Sequence, residues 1–527
     1  MPTAQPAASS QPLESKPQTV TESIDSTVDE SHANELVIAL VAPMGSATPI
    51  VAKGIVDYLK SDGTHFDEYE IVKISHLLDN GAPTGENKVD RKFRLQAAGN
   101  ELRKEDVRLV ATKAIQKIQQ LRKAGAPGTR HVFVVDSIKH PAELELFRQI
   151  YGKTLFVISL QASCDIRREI LKKEADCDSG DAVAMARIDE LMRIDQDEDL
   201  PYGQLVSECF YLADYFLSIG KDVEAGNLKH SKQFKRMMSA LCGDSLVRPQ
   251  PEEYAMHAAW SASFRSACLS RQVGASILDA KRKHLLATGA NEVPRFGGGQ
   301  YDGDDGSYRC FLYGIGGPGY CRNTRKINKS AEELFESLQQ AGLLTERGDF
   351  AAFQNAFKST RFARLIEFSR ALHAEQAAIL GAATTESGGL LRGAILFSTT
   401  FPCHSCIKHL VAAGIQTVHY IEPYTKSLAL DLHPDAVEMI EVIADRSKDD
   451  GGSPTKLALV PYSGVGPAWF KALFEKTADL KDTNGNFTPK GGALIPKRPV
   501  VTVVELEKKL IAAVYDADSI GDTGKSA

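Results

Sequence analysis

The chain has 527 residues, with 62 Lys and Arg against 68 Asp and Glu, 43% hydrophobic residues and nine cysteines. At about 100–200 residues per domain this length suggests two or three domains, and the near-average composition excludes collagen, coiled-coil and wholly disordered classes. The net charge of −6 excludes a strongly basic nucleic-acid-binding body, and an odd, scattered set of cysteines points to reduced thiols rather than a disulfide framework.

Residues 1–34 carry five acids and one base among Pro, Ser, Thr and Gln, so they hold −4 of the −6. A segment this poor in large apolar side chains cannot offset its ordering entropy and reads as a disordered acidic tail. It lacks the basic start and apolar run of a signal peptide. The most apolar run, Leu36 to Ala42, is far too short to span a bilayer, so a cytoplasmic protein without membrane contact is expected. ELVIALVAP (35–43) reads as a buried strand and IVAKGIVDYLKS (50–61) as the helix that follows. HVFVVDS (131–137) and TLFVISL (154–160) are further strands among helical patterns, which together predict a parallel α/β sheet over 35–245. The charged helical pattern of 167–199 suggests a mobile, solvated arm. Gly, Pro and charge near 245–251 mark a boundary.

The second half opens with a helix (252–270) and two strands (273–279 and 284–291). Residues 295–321 hold nine Gly, too long a stretch for an ordinary connection, and read as a functional loop. A helix over 361–382, a strand at 393–399, a helix from the PCHSC run and a strand at 417–422 complete a unit at 252–440. The extension 441–527 is expected to pack on that unit.

The chemistry is concentrated in HAE at 373–375 and PCHSC at 402–406. His373, Cys403 and Cys406 supply one imidazole and two thiolates, three of the four ligands a tetrahedral zinc takes, with the fourth position open for water. Glu375 is spaced to handle that water's proton. Pro402 suggests that the cysteines begin a helix, whose dipole favours thiolates. Together these residues match the H-x-E…P-C-x-x-C signature of zinc deaminases. One zinc ion is expected. Cys310 and Cys321 flank the Gly-rich loop, but no His or Cys pair at ligand spacing completes a second, structural site with them.

LSRQVGASILDAKRKHLLATGANEVP (269–294) resembles the opening strands of the CMP/dCMP-type deaminases, in which a Gly-x-Asn-x-x-Pro turn contacts the sugar. That resemblance implies a cytidine-deaminase-like α/β/α sandwich and a sugar contact at Asn291, whose carboxamide both donates and accepts. EPYTKS (422–427) resembles a motif of a two-domain subgroup, implying Tyr424 beside the base or sugar and Lys426 and Ser427 near phosphate. The whole chain resembles the phage-defence deoxycytidine nucleotide deaminases, which join a P-loop-type domain to a dCMP-type deaminase domain. The resemblance implies conversion of dCTP, and also dCMP, to the deoxyuridine nucleotide, depletion of dCTP during infection, a homo-oligomer and, in some members, restraint by a small inhibitory RNA.

Within the implied P-loop kinase-like domain, APMGSATP (42–49) keeps Gly45 but has Thr48 where the phosphate-binding Lys belongs. Gly45, Ser46, Thr48 and, after the next strand, Asp136 are the candidate nucleotide-binding residues there, with binding, regulation or assembly favoured over hydrolysis. Arg322, Arg325, Lys326 and Lys329 are candidates for a triphosphate clamp. A polynucleotide deaminase and a housekeeping dCMP deaminase for thymidylate supply are the alternatives. Residues 251–527 contain 31 bases and 31 acids, a neutral balance that favours a free nucleotide over a strand needing a positive groove.

Overall fold

The computed structural model describes residues 35–61, 66–81, 83, 85–124, 129–175, 181–196, 198, 200, 202–220, 228–303, 308–310, 319–344, 349–423, 427–440, 455–476, 479–488 and 500–521. The expectation for 1–34 lies outside these residues.

The first half is built on a parallel sheet ordered β2-β3-β1-β4-β5. Its strands are β1 (Leu36–Val41), β2 (Glu68–Lys73), β3 (His131–Ile138), β4 (Leu155–Ala162) and β5 (Tyr215–Ile219). β1 lies between β3 and β4 and buries all six of its residues, which explains a continuous apolar run rather than an alternating one. Around the sheet lie α1 (Thr48–Ser61), α2 (Lys88–Glu105), α3 (Leu109–Ala124), α4 (Pro141–Tyr151), α5 (Cys164–Ala175), α6 (Ala182–Gln196) and α7 (Lys232–Leu241). α5 and α6 correct the expected solvated arm. They pack together, bury Leu171, Ile188 and Met192 in one cluster, and carry a fully buried Asp195. That carboxylate accepts from Met44 N at 2.6 Å and Lys139 Nζ at 2.7 Å, so the arm's charge is spent on fixing the loop after β1.

The second sheet is ordered β7-β6-β8-β9-β11-β10. β6 (Gly274–Leu278) pairs antiparallel with β7 (Leu285–Ala290) and with β8 (Ile395–Thr400), whereas β8, β9 (Thr417–Glu422), β11 (Leu457–Pro461) and β10 (Val437–Met439) run parallel. α8 (Pro251–Ser263) covers one face, where a Cβ on Gly274 would lie 1.9 Å from the Ala259 carbonyl oxygen. α9 (Arg322–Gln340) and α10 (Phe350–Ser359) form an outlying helical pair. α11 (Ala374–Ala383) and α12 (His404–Ala412) cover the other face through Ala378, Ala382, Ile407 and Leu410.

Two expectations are corrected here. The helix expected over 361–382 is a short turn at Arg361–Arg364, a non-helical stretch, and then α11. Leu372 N–H donates to the Glu292 carbonyl at 3.0 Å and His373 is extended (φ −75°, ψ 154°), so a tertiary hydrogen bond overrides the helical pattern. The 441–527 extension also does not pack on the deaminase half alone. β11 joins the second sheet, β12 (Gly464–Val465) pairs antiparallel with β5, and α13 (Val500–Gly521) lies against α3 and α4. There the buried Glu507 accepts from Arg122 and from the Tyr151 hydroxyl, tying the end of the chain to the first half. Between the halves, Glu253 on α8 pairs with Arg236 on α7 at 2.7 Å.

Candidate active site

Two helix starts converge at the site. His373 caps α11 and Glu375 sits in its first turn, while Cys403 caps α12 and Cys406 sits in its first turn. Pro402 precedes the second cap, as the sequence suggested. The positive ends of both helices therefore face the cluster and favour anionic sulfur.

His373 Nδ1 lies 3.3 Å from each sulfur, and all three ligand atoms fall within 4.8 Å of one another. A tetrahedral zinc with bonds of about 2.3 Å to sulfur and about 2.0 Å to nitrogen needs an N···S edge of roughly 3.5 Å, so the residues fit the ion. Both cysteines are buried. Among the described residues this is the group of three or more His, Cys, Asp or Glu able to hold a metal. Cys403 ionises first, because a hydrogen bond from Cys406, then burial and His373, act on its thiol, and the net direction is strongly downward. Sharing that hydrogen bond holds the Cys406 thiol up. The hydrogen bond to Cys403 likewise raises His373.

Glu375 is 4% exposed, and its Oε2 lies 3.5 Å from Cys406 Sγ. Burial, reinforced by the nearby Cys403 charge, lifts its carboxyl above the usual carboxylate range. A buried carboxyl with raised proton affinity beside a metal cluster is suited to taking and returning a proton.

The cluster opens into a cavity of about 280 Å³ that Asn291 also lines. Asn291 also braces the backbone around it. Its Oδ1 accepts from Val273 N and its Nδ2 donates to the Arg271 carbonyl, both at 2.7 Å, pinning the strand entry beside the site. An amide has two donors and two lone pairs, so one of each remains for a ligand. Next to it, buried Glu292 accepts from Ala267 N at 2.7 Å and from Arg309 of the Gly-rich segment.

The cavity also takes in residues that sequence reasoning missed, including Arg271, Asn323, Thr324, Ile366 and Phe401. Arg271, paired with Glu422, is its one guanidinium among the described lining residues. The RQVGA run was the available signal for Arg271, whereas Ile366 and Phe401 arrive through tertiary packing. The expected triphosphate clamp is not assembled at this cavity. Arg322, Arg325, Lys326 and Lys329 lie on the first turns of α9, Arg325 sits over the Tyr320 ring, and the neighbouring Asn323 and Thr324 reach the cavity instead. Ser427 donates to the Pro402 carbonyl at 3.0 Å, so it braces the cysteine loop. Tyr424 and Lys426 lie outside the described residues.

In the first half, Gly45, Thr48 and Asp136 line a separate cavity, with the Thr48 hydroxyl hydrogen-bonded to the Asp136 carboxyl. Ser46 is buried in the same loop.

Three residues able to hold one ion, a buried carboxyl beside them and an adjoining cavity suit metal-assisted hydrolytic chemistry. Residues 249–422 match the family model described as "Cytidine and deoxycytidylate deaminase zinc-binding region". Residues 249–422 are therefore a cytidine and deoxycytidylate deaminase zinc-binding domain, with zinc as its metal. ComE operon protein 2 of Bacillus subtilis (strain 168) is 38% identical over 73 residues, 14% of this chain. The match spans about a third (34%) of that relative's length. Among solved structures, the apo dCMP deaminase from the cyanophage S-TIM5 aligns at 19% identity over 40% of this chain and 98% of that one, with a TM-score of 0.20. The same enzyme in complex with dCMP and dUMP aligns at 22% identity over 35% and 90%, also with a TM-score of 0.20. No helix among the described residues is long and apolar enough to cross a membrane.

Proposed function

We propose that the protein hydrolytically deaminates deoxycytidine nucleotides, dCTP to dUTP and dCMP to dUMP, with release of ammonia. The observation that carries this reading is the buried Glu375 carboxyl, 3.5 Å from a thiol of the His373, Cys403 and Cys406 set and facing the cavity shared with Asn291. A zinc ion held by these three residues supplies the Lewis acidity that makes a water's proton removable near neutral pH.

Glu375 accepts that proton as the water oxygen attacks C4 of cytosine, and delivers it to N3. The remaining water proton passes by way of Glu375 to the C4 amino group. The C–N bond then breaks, ammonia leaves and a C4 carbonyl remains, so atoms and charge balance. Burial of Glu375 excludes bulk water as a competing proton donor and keeps its affinity high enough to hold the proton between the two transfers. Asn291 positions the sugar, using the donor and acceptor left over from its contacts with Arg271 and Val273. The neutral charge of 251–527 supports a free nucleotide, and Arg271, which lines the cavity while paired with Glu422, is the guanidinium there that meets its phosphate.

The two-part organisation supports extending this reading to phage defence, in which the reaction drains the dCTP pool. Purified protein given CMP, dCMP, CTP, dCTP and a cytosine-containing oligonucleotide side by side tests the substrate class. Uracil product from the deoxynucleotides supports the reading, and product from the oligonucleotide alone overturns it.

A further inference from the structure

The cavity at the zinc centre has one Lys or Arg among its described lining residues, Arg271, and the way that side chain is held decides how it can meet a phosphate. Its backbone is fixed. The Arg271 carbonyl accepts from Asn291 Nδ2 at 2.7 Å, and Val273 N donates to Asn291 Oδ1, also at 2.7 Å. The guanidinium end is held by Glu422 through a single nitrogen, Nη2, which donates to Oε1. Nε and Nη1 have no partner among the described residues. A guanidinium presents five N–H donors in a planar fork, so a contact at one nitrogen leaves the others for a second anion.

Glu422 is the fixed end of this pair. It closes β9, where Thr400 of β8 is its register partner. The Thr400 hydroxyl donates to Glu422 Oε2 at 3.3 Å, and Phe401 N donates to the Glu422 carbonyl at 2.7 Å. The same end of β8 runs through Phe401 and Pro402 into Cys403, so the carboxylate that holds Arg271 is braced by the backbone that carries a zinc ligand. The Glu422 side chain is 20% exposed against 45% for Arg271. On its other side it lines a separate cavity of about 580 Å³ between the two halves, where Arg148 is already paired with Asp214. A phosphate that displaced Glu422 outright would leave this partly buried carboxylate without a cation, whereas a phosphate that shares the guanidinium leaves the pair intact. Holding a long side chain in place also removes part of the rotamer entropy that phosphate binding would otherwise cost.

We infer that Glu422 is a positioning residue for the substrate's phosphate: anchored at the end of β9 and by Thr400, it aims the Arg271 guanidinium and leaves Nε and Nη1 for the phosphate oxygens. The inference rests on the deaminase reading for the identity of the ligand. Glu422 acts through Arg271 and not on the reacting atoms, so its loss shows in affinity and KM rather than in kcat, and only for ligands that carry a phosphate.

Isothermal titration of the full zinc-loaded chain with dUMP and deoxyuridine, neither of which has an amino group to lose, tests this in the parent, Glu422→Gln, Arg271→Ala and the double variant. Glu422→Gln keeps the side chain's shape and is expected to weaken dUMP by about threefold to fivefold, the size of an ion pair with a partly exposed partner, and to leave deoxyuridine binding and zinc content as in the parent. Arg271→Ala should weaken dUMP by about tenfold or more through lost charge-assisted bonds. The double variant should bind dUMP no more weakly than Arg271→Ala, because Glu422 acts through that side chain. In turnover, Glu422→Gln should raise KM for dCMP at unchanged kcat. A parent that does not bind dUMP, unaltered or tighter dUMP binding in Glu422→Gln, an equal loss for deoxyuridine, or a further loss in the double variant would each overturn the inference. Failure of the deaminase reading looks different: the dUMP pattern persists while dCMP and dCTP yield no ammonia.

Discussion

Replacing Glu375 by Gln preserves volume and shape in a site where the native side chain is only 4% exposed, but removes the group that carries protons. His373, Cys403 and Cys406 are untouched, so zinc content should remain that of the parent. General acid–base groups contribute about 10²–10⁴ to rate. Glu375 acts in successive transfers, and its burial denies solvent water a substitute route, which places the loss at the upper end. A fall in kcat of about 10⁴ corresponds to roughly 5.5 kcal/mol of lost transition-state stabilisation at about 1.36 kcal/mol per decade. The assay follows dCTP conversion by chromatography alongside metal analysis of the same sample. KM should change little, since the amide still fills the space and the proposed sugar contact lies on Asn291. A variant that keeps more than about a tenth of the parent rate, with zinc bound, would remove Glu375 from the role of proton carrier.

Cys403→Ala should lose zinc along with activity, and metal analysis showing full occupancy would contradict the ligand assignment. Gly289→Ala should lower both zinc affinity and turnover, because its Cβ would fall 2.2 Å from the Ala374 carbonyl oxygen and push away the turn that carries His373 and Glu375. Overpacking of this kind costs about 1–3 kcal/mol, so a variant with unchanged melting temperature and activity would refute that contact. Asp67 tests the first half. Hydrogen bonds from Arg130 hold its carboxyl down to about 2 against the usual 3.8, so its stabilising contribution is present above pH 3.8 and lost as pH falls through about 2. The melting-temperature difference between the parent and Asp67→Asn should accordingly be full at pH 5 and shrink towards pH 2; a difference that grows on acidification would reverse the assignment.

The zinc centre was legible because its ligands sit in two short motifs at helix caps, where local spacing sets geometry. His373 and Glu375 share the first turn of α11, and Cys403 and Cys406 the first turn of α12. β1 was legible for a similar reason, since a central parallel strand buried on both faces needs an unbroken apolar run. What failed was non-local. The start of α11 is set by the Glu292 carbonyl, some eighty residues earlier, and a periodic pattern carries no trace of that bond. Asp195 looked solvated by its neighbours' charge, yet it is fully buried because Met44 N and Lys139 Nζ meet it there. The return of α13 to the first half is tied by Glu507 meeting Arg122, a partnership 385 residues apart. The turn motif singled out Asn291 as an expected sugar contact, but its bracing of Arg271 and Val273 required the fold.

The most direct test of the central claim is stoichiometric. Zinc-loaded protein incubated with dCTP should release one ammonia for each dUTP formed, and dCMP should give dUMP in the same ratio. Protein carrying its full complement of zinc that yields neither ammonia nor a deoxyuridine nucleotide from either substrate would contradict the account.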